Sequence, residues 1–263
     1  MSRLSVKITD GEIKMKSRRG QVLVIAALAI ALTILSVQSY LYGLSKQKLT
    51  PQNDYLSDYI LSIKQGTNHI VTASLVNISN GGASINLENN LARWSEFVAN
   101  DYRFGAPMLT TTLESTSPYS DGLWLEWGTT GVGTSSICSD FNFDISGRDV
   151  EVNWDYTVNK TTKVTSIGGY TDLGGTTKQF DLTINLANEE ISCIASSVIL
   201  HYNKTTTWED PTGLGVYSVT DYGNGTYVVS FTDDVDKLQV PVRIQIVDLR
   251  GVYVRTELIL EET

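Results

Sequence analysis

The sequence has few of the residues from which most enzyme and metal sites are built. Its 263 residues include only two histidines and two cysteines. The histidines, His69 and His201, have no second histidine or cysteine at the spacing of zinc ligands. The GxSxG, HExxH and P-loop patterns of hydrolases, metalloproteases and nucleotide-binding proteins are also missing. We therefore predict that the protein is not an enzyme and that it needs no cofactor.

Charge is missing from one long segment near the N-terminus. No Asp, Glu, Lys or Arg occurs in residues 21–45, and residues 22–35 are apolar with the single exception of Thr33. About 20 helical residues cross the hydrocarbon core of a bilayer, and this segment reaches that length. Tyr40 and Tyr42 would then lie at the outer membrane interface, where aromatic residues are enriched. The segment predicts a transmembrane or pilin-like helix over residues 21–45.

Charge is also divided unevenly between the two ends of the chain. Residues 1–20 hold six basic and two acidic residues, a balance of +4 within a total of -9, so the remainder carries -13. Basic residues before an apolar helix favour a cytoplasmic N-terminus. The acidic remainder repels phosphates, which argues against a nucleic-acid partner. We predict a basic cytoplasmic leader over residues 1–20, a protein of the cell membrane and cell surface, and an extracytoplasmic body from about Lys46 onward.

Two ordinary interpretations of the apolar segment stay open. A cleaved secretory signal would need small residues after the apolar run, and Val37-Gln38-Ser39 is a poor version of that pattern. A plain single-pass anchor would keep the whole segment and give Gly20 no role. Both place the body outside the cytoplasm.

A third interpretation comes from the junction Arg18-Arg19-Gly20, which is followed by Gln21 and an aliphatic helix. This junction resembles the class III signal peptide of archaeal type IV pilins and archaellins. The resemblance implies cleavage after Gly20, a mature chain that begins at Gln21, and packing against copies of itself or other pilin-like subunits. Bacterial type IV pilins carry a glutamate five residues into the mature chain, where this sequence has Ile25. Archaeal members commonly lack that glutamate.

The next 60 residues have the apolar spacing of helices. Thr50-Pro51 indicates a helix start, and apolar residues then recur every three or four positions until the turn sequence NISNGG at residues 77–82. A second such pattern runs from Leu87 to Val98 and ends before Gly105. These patterns predict a helical hairpin or stalk over residues 46–106, or alternatively two helices that cover one face of the following sheet.

From Met108 onward the apolar residues alternate with polar ones, which is typical of half-buried β-strands. Strands at intervals of 8 to 12 residues with Gly and Asn turns predict an antiparallel β-sandwich of Ig-like type. The whole chain is therefore predicted to be α+β. We place a boundary near residues 203–213, with a β-rich domain over 107–205 and a C-terminal Ig-like β module over 206–263. Residues 223–231 resemble the late strands of bacterial-type Ig-like surface repeats. The last 60 residues could instead complete a sandwich begun earlier.

Three groups of residues are candidates for modification or binding. N-glycosylation sequons occur at four positions, Asn77, Asn159, Asn203 and Asn224. Cys138 and Cys193 are candidates for a disulfide if the body is extracytoplasmic, although Cys138 is out of phase with Phe141 and Phe143. A weak match to a calcium loop is formed by Asp140, Asn142, Asp144, Ser146 and Glu151. The template needs glycine where Ile145 stands, and solvent-facing strand carboxylates explain the same pattern.

Together these features predict a pilin-like or pilin-related surface protein, either a filament subunit of minor type or an adhesion component. The alternative is a single-pass membrane-anchored β-sandwich that contacts the surface layer, glycans or a partner protein.

Overall fold

The computed structural model describes the backbone of residues 11–101, 106–147 and 151–263. Side chains are described for residues 27–42, 56–100, 106–147 and 151–263. The chain divides into two compact units, Met1–Ser62 and Ile63–Thr263.

Two α-helices come first in the chain, α1 (Gly11–Ser79) and α2 (Asn86–Asp101). The helix start predicted at Thr50-Pro51 falls inside α1. The apolar helix predicted over residues 21–45 stays a prediction, because the side chains of 21–26 and 43–45 lie outside the described residues. The C-terminal end of α1 lies in the predicted NISNGG turn, where Gly81 has a φ of 98°, a conformation that favours glycine.

The rest of the described chain consists mainly of β-strands and one short 3₁₀ helix (Pro211–Gly213). The strands, in chain order, are β1 (Ala106–Leu113), β2 (Leu123–Trp127), β3 (Val132–Ser146), β4 (Glu151–Gly174), β5 (Thr177–Asn188), β6 (Ile191–Ser192), β7 (Ala195–Asn203), β8 (Trp208–Glu209), β9 (Tyr217–Asp221), β10 (Thr226–Asp234), β11 (Val240–Asp248) and β12 (Tyr253–Leu260).

The described strands form two antiparallel sheets. The first has the order β1-β3-β4-β5-β10-β9, with β2 added to β3 and β6 added to β5. The second has the order β12-β11-β7-β8. The β-rich α+β fold predicted from the alternation of apolar residues is therefore present, with two antiparallel sheets in a sandwich-like arrangement.

β3 and β4 pair as a long antiparallel hairpin. Ser146 lies opposite Glu151, and the register continues without interruption to Val132 opposite Thr165. Phe141, Phe143 and Ile145 are all buried, so the side chains that alternate in the sequence do face the interior.

The pairing departs from the predicted boundary near residues 203–213. β10 lies after that boundary and pairs with β5 in the first sheet. β11 also lies after it and pairs with β7 in the second sheet. Residues 206–263 therefore contribute strands to both sheets instead of forming a sheet of their own. Hydrophobic alternation specifies which side of a strand is buried but does not specify its neighbour, and for that reason the boundary was not readable from the pattern.

Two sets of side-chain contacts hold Ile63–Thr263 together. Between the sheets, Phe180 stacks on Phe231 with ring centroids 4.7 Å apart, inside a cluster drawn from both sheets. On the helical side, Thr67 of α1 accepts hydrogen bonds at Oγ1 from Trp94 Nε1 and from Tyr156 Oη, both at 2.9 Å. The C-terminal part of α1 and α2 thus cover the face of β3 and β4 that carries Phe141 and Phe143.

The core assignment predicts very different effects for two leucine truncations. Leu182 is 1% exposed in the inter-sheet cluster, and Leu182→Ala should lower the free energy of unfolding by about 2–5 kcal/mol through lost burial and a cavity. Leu238 is 81% exposed, and Leu238→Ala should change it by less than about 0.5 kcal/mol. Urea unfolding followed by tryptophan fluorescence measures both. Equal effects would contradict the assignment of the core.

Candidate functional site

The first candidate surface is the apolar part of α1, residues 27–42. Every residue of this stretch is exposed, and its large apolar side chains keep between 54% and 68% of their surface accessible. An apolar surface that is exposed on all sides of a helix needs a covering of lipid or of other apolar helices. Among the residues that the structure describes, none of the helices has an apolar stretch long enough for a membrane crossing.

Two hydroxyl groups within this stretch, those of Thr33 and Ser36, are satisfied by the helix itself. Thr33 Oγ1 donates to the carbonyls of Ile30 at 2.7 Å and of Ala29 at 3.1 Å. Ser36 Oγ donates to the carbonyl of Thr33 at 2.9 Å. These two polar side chains therefore need no partner outside the helix, which suits an apolar environment. The predicted processing residues, Gly20 and Gln21, lie outside the residues whose side chains are described.

The second candidate surface is a groove on the outer face of the first sheet, here called the aromatic groove. In antiparallel sheets, residues in register share a face, and Trp124, Ser136 and Thr161 are in register across β2, β3 and β4. The groove has a volume of about 460 Å³ and is lined by Tyr119, Trp124, Thr134, Asn159, Thr161, Lys163, Ala187, Glu189 and Glu190.

Two aromatic rings form one wall of the aromatic groove, and hydrogen bonds hold both in place. The rings of Tyr119 and Trp124 meet edge to face, with centroids 6.1 Å apart and an interplanar angle of 75°. Trp124 Nε1 donates to Glu126 Oε2 at 3.0 Å. The hydroxyl of Tyr119 lies 2.9 Å from Ser136 Oγ. Both rings are half-buried, so part of each is available to a ligand.

The opposite rim is formed by Glu189 and Glu190, which have φ angles of 47° and 66° in the turn between β5 and β6. Glu189 Oε1 accepts from the backbone N–H of Thr161 at 3.0 Å and from Arg250 Nη1 at 2.7 Å. Arg250 Nε also donates to the buried carboxylate of Asp248 at 2.9 Å. Burial acts to lower the pKa of Arg250, but Glu189 and Asp248 outweigh it and raise that pKa. The rim is therefore fixed by charged groups that reach into the body.

The four predicted sequons lie in different environments. Asn77 is near the C-terminal end of α1 and accepts a hydrogen bond from Asn86 at 2.7 Å. Asn203 is half-buried and accepts from Lys237 Nζ at 2.6 Å. Asn224 is exposed in the turn between β9 and β10. Asn159 is exposed on β4 and lines the aromatic groove. The structure thus brings only Asn159 together with aromatic side chains of that groove.

The predicted disulfide between Cys138 and Cys193 is not present, because both residues are free thiols. Cys138 is on β3, whereas the backbone N–H of Cys193 bonds to Leu186 of β5 on the edge away from β4. Three strand spacings separate the two residues, about 14 Å. A disulfide requires Cα atoms within about 7 Å. The alternation of residues placed Cys138 on the outer face correctly, but it carried no information on strand order.

The predicted calcium-loop residues lie on the β3–β4 hairpin instead of in a loop. Thr157 Oγ1 donates to Asp140 Oδ1 at 2.5 Å, and Asn142 Nδ2 donates to Asp155 Oδ1 at 2.7 Å. Asp144 accepts from Ser146 at 3.0 Å, and Glu151 begins β4. An extended strand spaces these side chains about 7 Å apart and does not wrap around one ion. Within the described ranges, no cluster of three or more His, Cys, Asp or Glu residues could hold a metal ion.

No family model, no curated protein and no solved structure matches this chain. Its function must therefore be inferred from the surfaces themselves.

Sequence reasoning did not find the aromatic groove. Its lining comes from the β1–β2 connection, from four strands and from the turn after β5, and its outermost residues, Tyr119 and Glu190, are 71 positions apart in the chain. Asn159 was the one lining residue with a readable signal, its sequon. The two aromatic rings carry no periodicity or spacing that points to a site.

The environment of the cysteines predicts slow thiol chemistry. Burial is the main cause that raises the pKa of Cys193 to about 11. The negative charges of Asp248 and Glu189 act in the same direction, and Arg250 opposes them. Burial, with smaller effects of Asp140 and Glu114, also raises the pKa of Cys138. Because the thiolate is the reactive form, alkylation of Cys193 at pH 8 should be about a hundredfold slower in the native protein than in urea. Its rate should rise with pH up to about 11.

Iodoacetamide labelling of a Cys138→Ala variant, read by mass spectrometry, follows Cys193 alone. Equal rates in native and unfolded protein would contradict the buried environment of this thiol. A wild-type protein that takes no label even in urea, until a reductant is added, would show that the cysteines are bridged after all.

Proposed function

We propose that the protein is an extracytoplasmic surface protein that is held by its apolar N-terminal helix and assembles through it as a pilin-like subunit. The observation that carries this proposal is the exposure of residues 27–42 of α1 on every side. Soluble monomers rarely expose a contiguous apolar patch larger than a few hundred Å². A helix with this surface requires either lipid or several like helices around it.

The size of the apolar surface shows how strong that requirement is. Nine large apolar side chains in this stretch are each more than half exposed. Covering them would yield a gross stabilisation on the order of 20 kcal/mol, at about 25 cal/mol per Å². That exceeds the whole folding free energy of a typical domain. The surface is therefore expected to be covered whenever a covering is available.

The charge pattern supports both the membrane and the direction of insertion. Six basic residues precede the apolar segment, and the chain after it is strongly acidic. The basic end is retained on the cytoplasmic side, and the acidic body is suited to an exposed position away from anionic lipid.

The junction at Gly20-Gln21 favours a pilin-like role over a plain anchor. Its resemblance to a class III signal implies that the basic leader is removed while the helix stays on the mature chain. Once the charges of residues 1–20 are gone, the new N-terminus can enter an apolar bundle of helices at a lower desolvation cost. The acidic body would then be displayed around that bundle.

A second function is supported by a separate observation, the aromatic groove on the outer face of the first sheet. A membrane-anchored monomer that binds a ligand through its β-sandwich would use that surface without forming a filament. In that case the apolar helix would remain in lipid and the leader would remain attached.

The mature N-terminus separates these functions. Mass spectrometry of the protein isolated from its native membrane should find a chain that begins at Gln21. A chain that begins at Met1 would favour the plain anchor, and one cut after Ser39 would favour a secretory signal. Either result would contradict pilin-like processing.

A charge substitution tests the covering of the helix. Leu32→Arg places a charge in the middle of the apolar stretch at a cost of about 3 kcal/mol in lipid, and should reduce membrane retention and abolish assembly. Leu61→Arg is the matched control, because Leu61 is an equally exposed leucine on α1 outside the uncharged segment.

Membrane fractionation, and electron microscopy of shed filaments with an antibody to the body, provide the readouts for both variants. Unlabelled filaments together with full membrane retention would support the anchored monomer. Identical behaviour of wild type and Leu32→Arg in both assays would contradict any role of the helix surface.

A further inference from the structure

We propose that the aromatic groove is a saccharide-binding site, with a sugar ring lying against Trp124. This inference deepens the second function, ligand binding at the aromatic groove, by naming the class of ligand. It does not depend on the role of the apolar helix, because every residue of the aromatic groove belongs to Ile63–Thr263.

The aromatic groove combines an apolar wall with a polar floor. Trp124 and Tyr119 give a fixed aromatic wall. A sugar ring also has two kinds of surface, a patch of C–H groups on its faces and hydroxyl groups around its edge. An aromatic face covers the C–H patch by dispersion contact, while the polar floor can bond the hydroxyls. Ligand sites in general combine aromatic lining with a few placed polar groups in this way.

The polar lining of the groove offers both donors and acceptors of hydrogen bonds. Thr134 and Thr161 offer hydroxyls, Asn159 an amide, Lys163 an ammonium and Glu190 a carboxylate. Sugar hydroxyls both donate and accept, so they match a mixed set of donors and acceptors. A phosphate-containing ligand fits less well, because Glu190 balances Lys163 and Glu189 is paired with Arg250, so the lining has no surplus of positive charge. The volume of about 460 Å³ lies within the range of small-ligand pockets.

The lining of the aromatic groove is preorganised. Glu189 and Glu190 keep left-handed backbone conformations that cost free energy in residues other than glycine. Glu189 is held by Arg250 and by the backbone of Thr161, so its neighbour Glu190 is presented at the rim in a fixed position. Trp124 is likewise held through its Nε1 hydrogen bond to Glu126. The fold has therefore already ordered these side chains, and a ligand that binds them loses less conformational entropy.

The sugar has two sources that this chemistry does not separate, a free saccharide or a glycan on Asn159. The Oδ1 atom of Asn159 accepts from Thr161 Oγ1 at 3.0 Å and from Ser136 Oγ and Tyr119 Oη at 3.4 Å. None of the hydrogen bonds among the described residues uses its Nδ2. The amide is therefore turned with its oxygen toward the sheet and its nitrogen available.

Attachment of a glycan would form a bond between Nδ2 and C1 of the first sugar. Nδ2 loses a proton, and the C1–O bond to the phosphate of an activated glycosyl donor breaks, so that the phosphate leaves with the electron pair. The first sugar would then lie beside Trp124 and Tyr119 on the same face of the sheet.

The first arm of the test uses the full chain made in a host without N-glycosylation, in detergent, on an array of neutral oligosaccharides. We expect binding, and Trp124→Ala should weaken it about tenfold or more, since truncation of an aromatic anchor commonly costs this much affinity. Trp124→Phe should keep most of it. Trp208→Ala is the matched control, because Trp208 stacks on Arg243 on the second sheet, away from the groove.

The second arm uses protein from the native host. Peptide mass spectrometry shows whether Asn159 carries a glycan. If it does, glycosidase removal of that glycan should be several-fold faster in Trp124→Ala than in wild type, because the wall that shields the first sugar is gone. Trp208→Ala should leave the rate unchanged. Binding in the first arm identifies a free saccharide as a ligand, and shielding in the second identifies the chain's own glycan.

Circular dichroism and thermal unfolding confirm that each variant is folded, and Trp124→Thr, which removes the ring with a residue suited to a strand, replaces Trp124→Ala if the latter is not. The proposal is overturned if unmodified protein binds no oligosaccharide and Asn159 carries no glycan. It is also overturned if folded Trp124→Ala behaves as wild type in whichever arm gives a signal. Neither failure would change the mature N-terminus or the effect of Leu32→Arg, so the proposed function is tested separately.

Discussion

Apolar side chains from both sheets meet in one buried layer, and the features on the surface of the body are positioned by it. Phe180 and Phe231 are fully buried there, 4.7 Å apart, on neighbouring strands of the first sheet. The turn of the second sheet carries Asp248, whose buried carboxylate accepts from Thr162 Oγ1 at 3.0 Å and from Arg250 Nε at 2.9 Å. A buried carboxylate is tolerated only when it is paired and hydrogen-bonded in this way. Arg250 then reaches Glu189, so a contact between the sheets fixes the rim of the aromatic groove on the outer face.

The apolar helix surface and the aromatic groove have opposite properties. The helix surface of residues 27–42 has no charge and is exposed on all sides, so it is specific for an apolar environment but not for a particular partner. The aromatic groove is small, combines an aromatic wall with polar groups and is held by directed hydrogen bonds, which are the properties that give selectivity to a ligand site. The two surfaces are independent of each other. A protein with both would use the helix for attachment and the aromatic groove for recognition of a ligand.

Local patterns in the sequence predicted the features that depend on a single strand or a single helix. Phe141, Phe143 and Ile145 alternate with polar residues, and all three are buried, since successive side chains of a strand point to opposite faces. The turn at residues 77–82 ends α1 because glycine adopts the left-handed conformation that Gly81 shows. Local patterns did not predict which strands pair with each other. The pairing of β10 with β5 and of β11 with β7 is a long-range choice that leaves no local mark in either strand.

The amino-acid sequence by itself therefore determined the class of elements, the exposed or buried side of most strands, and the uncharged segment with its basic flank. These depend on composition and on periods of two or 3.6 residues, which are properties of neighbouring residues along the chain. The tertiary structure alone decided that residues 206–263 complete two shared sheets, that Cys138 and Cys193 are kept apart by three strand spacings, and that Tyr119, Trp124, Asn159 and Glu190 line one groove. The physical reason is that strand order is set by the joint burial of many side chains, and only that order brings distant residues to the same face.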